Sequence, residues 1–136
     1  MRLHTRLGGD DNAVIRMRLL NDTGSSLQTI FDTDLASIYY NPQTYQGNLG
    51  QLNVTTANGT VARQGIVVEM QLRKPNWEPA SDWFVENGVI VPFAPNITRL
   101  SGSGLQSSLY FVTTPGNQFL YVARKKNGVV SQLPVI

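Results

Sequence analysis

The chain contains no cysteine and only one histidine, His4. Without thiols there is no disulfide framework and no thiolate metal centre. With a single imidazole, zinc chemistry has little to stand on. A serine nucleophile would need a base beside it, and only His4 could serve. His4 lies in the first predicted strand and reads as an edge residue. No run approaches the ~18 apolar residues of a membrane span. Met1 to Leu7 lacks the apolar centre of a secretion signal. Charge is sparse and nearly balanced, with 11 Lys and Arg against 9 Asp and Glu, net +2. That balance argues against nucleic acid or a membrane surface as partner. Gly102-Ser103-Gly104 lacks the strand–helix unit of a dinucleotide fingerprint. No cofactor and no metal are expected.

What is present is turn chemistry and alternation. Twelve glycines and seven prolines punctuate 136 residues, a length that suits one domain, 1–136. Ile15, Met17 and Leu19 alternate with Arg16 and Arg18, which predicts a half-buried strand over 14–20. Ile66, Val68, Met70 and Leu72 alternate with Val67, Glu69 and Gln71 in the same way. Val89 to Val91, Leu109 to Phe111 and Phe119 to Ala123 read as further short strands. Asn58-Gly59 and Asn127-Gly128 predict hairpins, because both residue types tolerate positive φ. Gly8 to Asn12 and Pro115-Gly116-Asn117 read as turns. Short helices are expected after Gly104 and near Asp34. Residues 73–86, with Pro75, Trp77, Pro79 and Trp83, read as an irregular excursion between strands. The expectation is an all-β domain, a compact barrel or sandwich of short strands. Arg124-Lys125-Lys126 reads as a solvated edge before a turn.

Asp22-Thr23-Gly24-Ser25-Ser26 follows the alternating run directly. A loop at a strand end gives a carboxylate access to water and substrate. The Thr23 hydroxyl can fix the loop, Gly24 lets the backbone turn beside the carboxylate, and Ser25 and Ser26 can orient Asp22. The same residue types also make ordinary surface turns.

Leu19 to Ser26 resembles the active-site loop of aspartic proteases, and the single motif in a short chain resembles the retropepsin-like branch found in retroviruses and retroelements. Leu52 to Arg63 is similar to the family's flap, with its turn at Ala57-Asn58-Gly59 after Thr56 and the whole flap region spanning about 50–72. Val89 to Phe93, followed by Arg99-Leu100-Ser101-Gly102, is similar to the segment that braces the active-site loop, with Leu100 and Gly102 in the bracing positions. The resemblance implies a closed acid-protease β-barrel with a flap hairpin and one short helix, assembled as a homodimer. It implies Asp22 as the catalytic residue, with Thr23, Gly24 and Ser25 supporting it and Thr56 to Gly59 meeting substrate. Asn21 is polar where the family is usually apolar, and Ser101 replaces an aliphatic residue.

Two adjacent carboxylates share one proton, so one can activate water while the other protonates the carbonyl. The chain has no second Asp-Thr-Gly, and Asp32-Thr33-Asp34 reads as a turn or helix cap. A twofold dimer with two facing Asp22 residues supplies the pair. The expected function is therefore an aspartic endopeptidase acting on a peptide or polyprotein, most active at mildly acidic pH. The alternative is a relative that kept the fold as a dimerisation or peptide-binding domain. A third reading is an unrelated β binding module. Asn-x-Thr sequons begin at Asn21, Asn53, Asn58 and Asn96. They read as chance in a Thr-rich chain, since a glycan on Asn21 would block Asp22, and the expected setting is intracellular and cytoplasmic.

Overall fold

The computed structural model describes residues 1–113, 115–116 and 120–133. The longest strand organises the rest. Strand β4 (Gly59–Met70) pairs on one edge with β3 (Asn48–Thr56) and, beyond it, with β1 (Arg2–Leu3). Its other edge carries β5 (Phe84–Val91), antiparallel, and β5 in turn pairs with β2 (Gln28–Phe31) in parallel. Helix α1 (Ser103–Ser108) packs against β5. A separate two-stranded sheet, β6 (Tyr110–Thr113) with β7 (Leu120–Ala123), carries a second short helix, α2 (Lys126–Val130).

The period-two reading of β4 holds in the packing. Ile66, Val68 and Met70 are buried while Val67 and Glu69 are only partly so. Strand β2 is buried at all four positions. That suits a strand in a parallel pair, which is covered on both faces. The core gathers Met1, Leu3, Ile30, Ile38, Tyr45, Ile66, Val68 and Met70. Tyr45 brings a polar tip into it. Its hydroxyl accepts from the His4 N–H at 2.9 Å and donates to Val67 O. Burial raises the Tyr45 pKa above its ordinary 10.0. A phenol harder to ionise when folded stabilises the fold below the ordinary tyrosine value. That contribution is lost as pH rises through the raised value. Tyr45→Phe strands the His4 N–H and is expected to cost about 1–3 kcal/mol in urea unfolding at neutral pH.

Several expectations are corrected. Among the described residues the sheet does not close into a barrel. The predicted strand 14–20 forms no ladder among the described residues, only the isolated bridge of Leu20 with Leu100. Its burial still alternates, with Ile15, Met17 and Leu19 half-buried against the core and Arg16 and Arg18 exposed. Side-chain alternation was therefore a sound signal for an extended run but carried no information about a pairing partner. Asn127-Gly128 is not a hairpin but lies inside α2, so the described residues hold two short α-helices where the resemblance implied one short helix. Arg124-Lys125-Lys126 accordingly leads into that helix, and Arg124 pairs with Asp82 at 2.6 Å. At Asn58-Gly59 the hairpin is present, but only Gly59 takes positive φ, +116°. Asn117 and Phe119 lie outside the described residues.

The 3-10 turns Asp32–Asp34 and Ala36–Ile38 answer the helical signal near Asp34. The excursion folds back on itself. Lys74 N–H donates to Glu78 O and Ala80 N–H to Leu72 O, each at 2.9 Å, and Arg73 bridges Pro79. No helix among the described residues is long and apolar enough to cross a membrane.

Candidate active site

Leu20 ends the extended run, and the chain loops through Asp22 and Ser26 before returning as β2. Residues 99–103 pass between the two arms of that loop. On one side Leu20 N–H donates to Arg99 O and Ser101 N–H donates to Leu20 O, both at 2.9 Å. On the other side Thr29 N–H donates to Leu100 O at 3.0 Å, and Ser103 N–H donates to Ser26 O at 3.4 Å. The entry to the threaded segment is clamped by Arg99. Its guanidinium meets the Asp34 carboxylate at 2.7 and 3.3 Å and lies 4.2 Å over the Phe31 ring. A two-toothed pair of this kind fixes orientation as well as charge.

Asp22 is held by its backbone. Its N–H donates to Ser101 Oγ at 3.1 Å, and its carbonyl accepts from Gln106 Nε2 at 3.0 Å. Ser101 is fully buried, and its hydroxyl in turn donates to Asn21 Oδ1 at 3.5 Å. The two polar residues that depart from the aspartic-protease pattern are therefore hydrogen-bond partners of each other and of the loop. The Asp22 side chain is half-buried and accepts from Gly24 N–H at 2.9 Å through Oδ1. Among the described residues it has no cationic partner and no second carboxylate bonded to it. The loop thus presents a carboxylate in a fixed place with one oxygen uncommitted.

The other expected site residues divide. Leu100 bridges Leu20 beside the Asp22 loop, and Gly102 is buried against Glu86 and the Gln28 backbone nitrogen. Thr23 and Gly24 are exposed beside the carboxylate. The Ser25 hydroxyl does not reach Asp22 but donates to Leu27 O at 2.8 Å, while the Ser25 N–H donates to Asp22 O at 3.3 Å and closes the turn. Ser26 serves through its carbonyl, which takes both the N–H and the hydroxyl of Ser103. Thr56 to Gly59 form the exposed tip of the β3–β4 hairpin, locked by Thr56 Oγ1, which accepts from Asn58 N–H at 3.2 Å and donates to Gly59 O at 3.0 Å. None of the described hydrogen bonds joins that tip to the Asp22 loop.

Glu86 was invisible in the sequence, where an acid within a strand reads as solvent-facing. It is only 2% exposed. Its carboxylate accepts from Gly104 N–H at 3.0 Å and Leu105 N–H at 2.9 Å, the first turn of α1. The free N–H groups and positive end of the helix favour an anion there. Glu86 so ties α1, which carries Gln106, to the sheet that carries the Asp22 loop. Glu86→Ala leaves those N–H groups without acceptors and is expected to cost about 2–4 kcal/mol by urea titration. Glu86→Gln, which keeps one acceptor oxygen, is expected to cost less.

No group of histidines and acids among the described residues could hold a metal ion. Compared with known proteins, the chain matches no family model, no curated protein and no solved structure.

Proposed function

We propose that this chain is an aspartic endopeptidase that works as a homodimer, with water activated between the two Asp22 carboxylates. The observation that carries the reading is the threaded loop. Residues 99–103 brace the Asp22 turn on both arms, and Ser101 and Gln106 hold its backbone while the carboxylate stays largely uncommitted. A surface turn needs no such bracing, and a catalytic group does. A single carboxylate cannot take a proton from water and donate one to the carbonyl oxygen in the same step, so the half-site calls for a second copy. One Asp22 takes a proton from water as the water attacks the scissile carbonyl. The other, protonated, donates to the carbonyl oxygen. The β3–β4 hairpin is the element that would cover an extended peptide, by backbone pairing along its exposed edge.

The test is cleavage of a denatured-protein or peptide library at about pH 5, where a proton-sharing carboxylate pair is competent. Asp22→Asn runs alongside. Cleavage by the parent and not by the variant supports the reading. Cleavage by neither, from a protein that sediments as a dimer, replaces it with a peptide-binding or dimerisation role for the same fold. A protein that stays monomeric at high concentration removes both.

A further inference from the structure

The extended run before Asp22 has the features of a strand without a neighbour. Ile15 exchanges backbone hydrogen bonds with Met1 at 2.8 and 2.9 Å, and Leu20 bonds to Arg99 and Ser101. Between them, the backbone groups of residues 16–19 have no partner among the described residues. Beside this run lies a cavity of about 870 Å³, walled across from it by the end of β4 and the start of the excursion. It borders Asn21 but not Asp22.

Two further observations say what fits there. The cations on its walls are Arg16, Arg18, Arg73 and Lys74, the last paired with Glu78 at 3.3 Å, and no acidic residue among the described residues lines it. Arg16 and Arg18 make no ion pair among the described residues. Arg16 lies 4.4 Å over the exposed Trp77 ring.

We propose that this groove is a docking site for an extended acidic peptide segment, which adds as a strand along residues 16–19. Side chains on neighbouring strands alternate in step. A guest with acidic residues at every second position sets them beside Arg16 and Arg18 on the outer face. Its intervening apolar residues face Met17 and Leu19 on the inner face. Backbone pairing gives affinity and the alternation gives register. The proposal stands whether or not Asp22 is catalytic, because the groove does not include Asp22.

The probe is a fluorescein-labelled decapeptide alternating Glu with Val, titrated with the full chain and read by anisotropy and by Trp fluorescence. Controls are the Lys–Val peptide and a Glu–Val peptide N-methylated at alternate residues, in both phases of the alternation. The expected result is saturable binding of the Glu–Val peptide, with at least about tenfold weaker binding of the Lys–Val peptide and of one N-methylated phase or both. Arg16→Glu/Arg18→Glu, at two exposed positions, is expected to weaken binding by about tenfold or more while the far-UV spectrum is unchanged. Equal binding of the Lys–Val peptide, or tight binding of both N-methylated phases, would overturn the proposal. So would an unaltered affinity in the double variant or an absence of saturation at about millimolar protein. If dimerisation blocks the peptide and the same double variant abolishes the dimer, the occupant is a second copy of the chain and the proposal is wrong.

Discussion

Gly102→Val is expected to destabilise the protein by about 4 kcal/mol or more, and Gly102→Ala by about 2–3 kcal/mol. The cause is space and not backbone conformation, since φ at Gly102 is −99°. A Cβ there would lie 2.5 Å from Glu86 Oε1 and 2.8 Å from the Gln28 backbone nitrogen. Neither neighbour can give way cheaply. Glu86 is pinned by the N–H groups of Asn87, Gly104 and Leu105. Gln28 is the first residue of the buried parallel strand β2. The added carbon therefore pries the threaded segment out of the Asp22 loop. Thermal melts should show a fall in Tm of roughly 15 °C for the valine variant. Gly24→Ala is the control, because a Cβ there meets only Asp22 Oδ1, at 3.3 Å. It is expected to leave stability within about 1 kcal/mol, as for a surface change. Equal melting of the parent and Gly102→Val would show that the segment is not wedged between Glu86 and β2.

What the sequence made legible follows from how local each signal is. The β4 alternation, the Gly59 hairpin and the short helix expected after Gly104 depend on residues a few positions apart, and each is present, the helix starting earlier, at Ser103. The strand expected over 14–20 failed because pairing is decided by a distant partner, among the described residues only Met1 on one edge and Arg99 to Ser101 on the other. Asn127-Gly128 misled because the pair also fits the first turns of a helix that packs on β6 and β7. At the site, Asp22 could be picked out from its own neighbours. The partners of its backbone could not: Ser101 and Gln106 lie 79 and 84 residues away. Ser101 and Asn21 looked like two independent departures from an aspartic-protease loop. In the structure they share one hydrogen bond, so a change at either should be read with the other.

Mixing the parent with Asp22→Asn is expected to suppress its peptidase activity in proportion to the fraction of parent chains. The proposed site draws one carboxylate from each copy, and chains that differ only in one oxygen of Asp22 should pair at random. With equal amounts of both, a quarter of the dimers carry two carboxylates, so activity per parent chain falls to about half. With a ninefold excess of the variant it falls to about a tenth. The variant keeps the hydrogen bonds of the loop backbone, because Ser101 and Gln106 contact Asp22 only through main-chain atoms. An asparagine can also still accept from Gly24 N–H through its amide oxygen. Suppression therefore measures loss of the second carboxylate and not loss of fold. The mixture should be denatured and refolded together, so that slow subunit exchange does not preserve parental dimers. Activity that stays constant per parent chain across the series would show that one chain acts alone, and the half-site reading of Asp22-Thr23-Gly24 would fall. Suppression steeper than the parent fraction would show that variant chains capture parent chains preferentially.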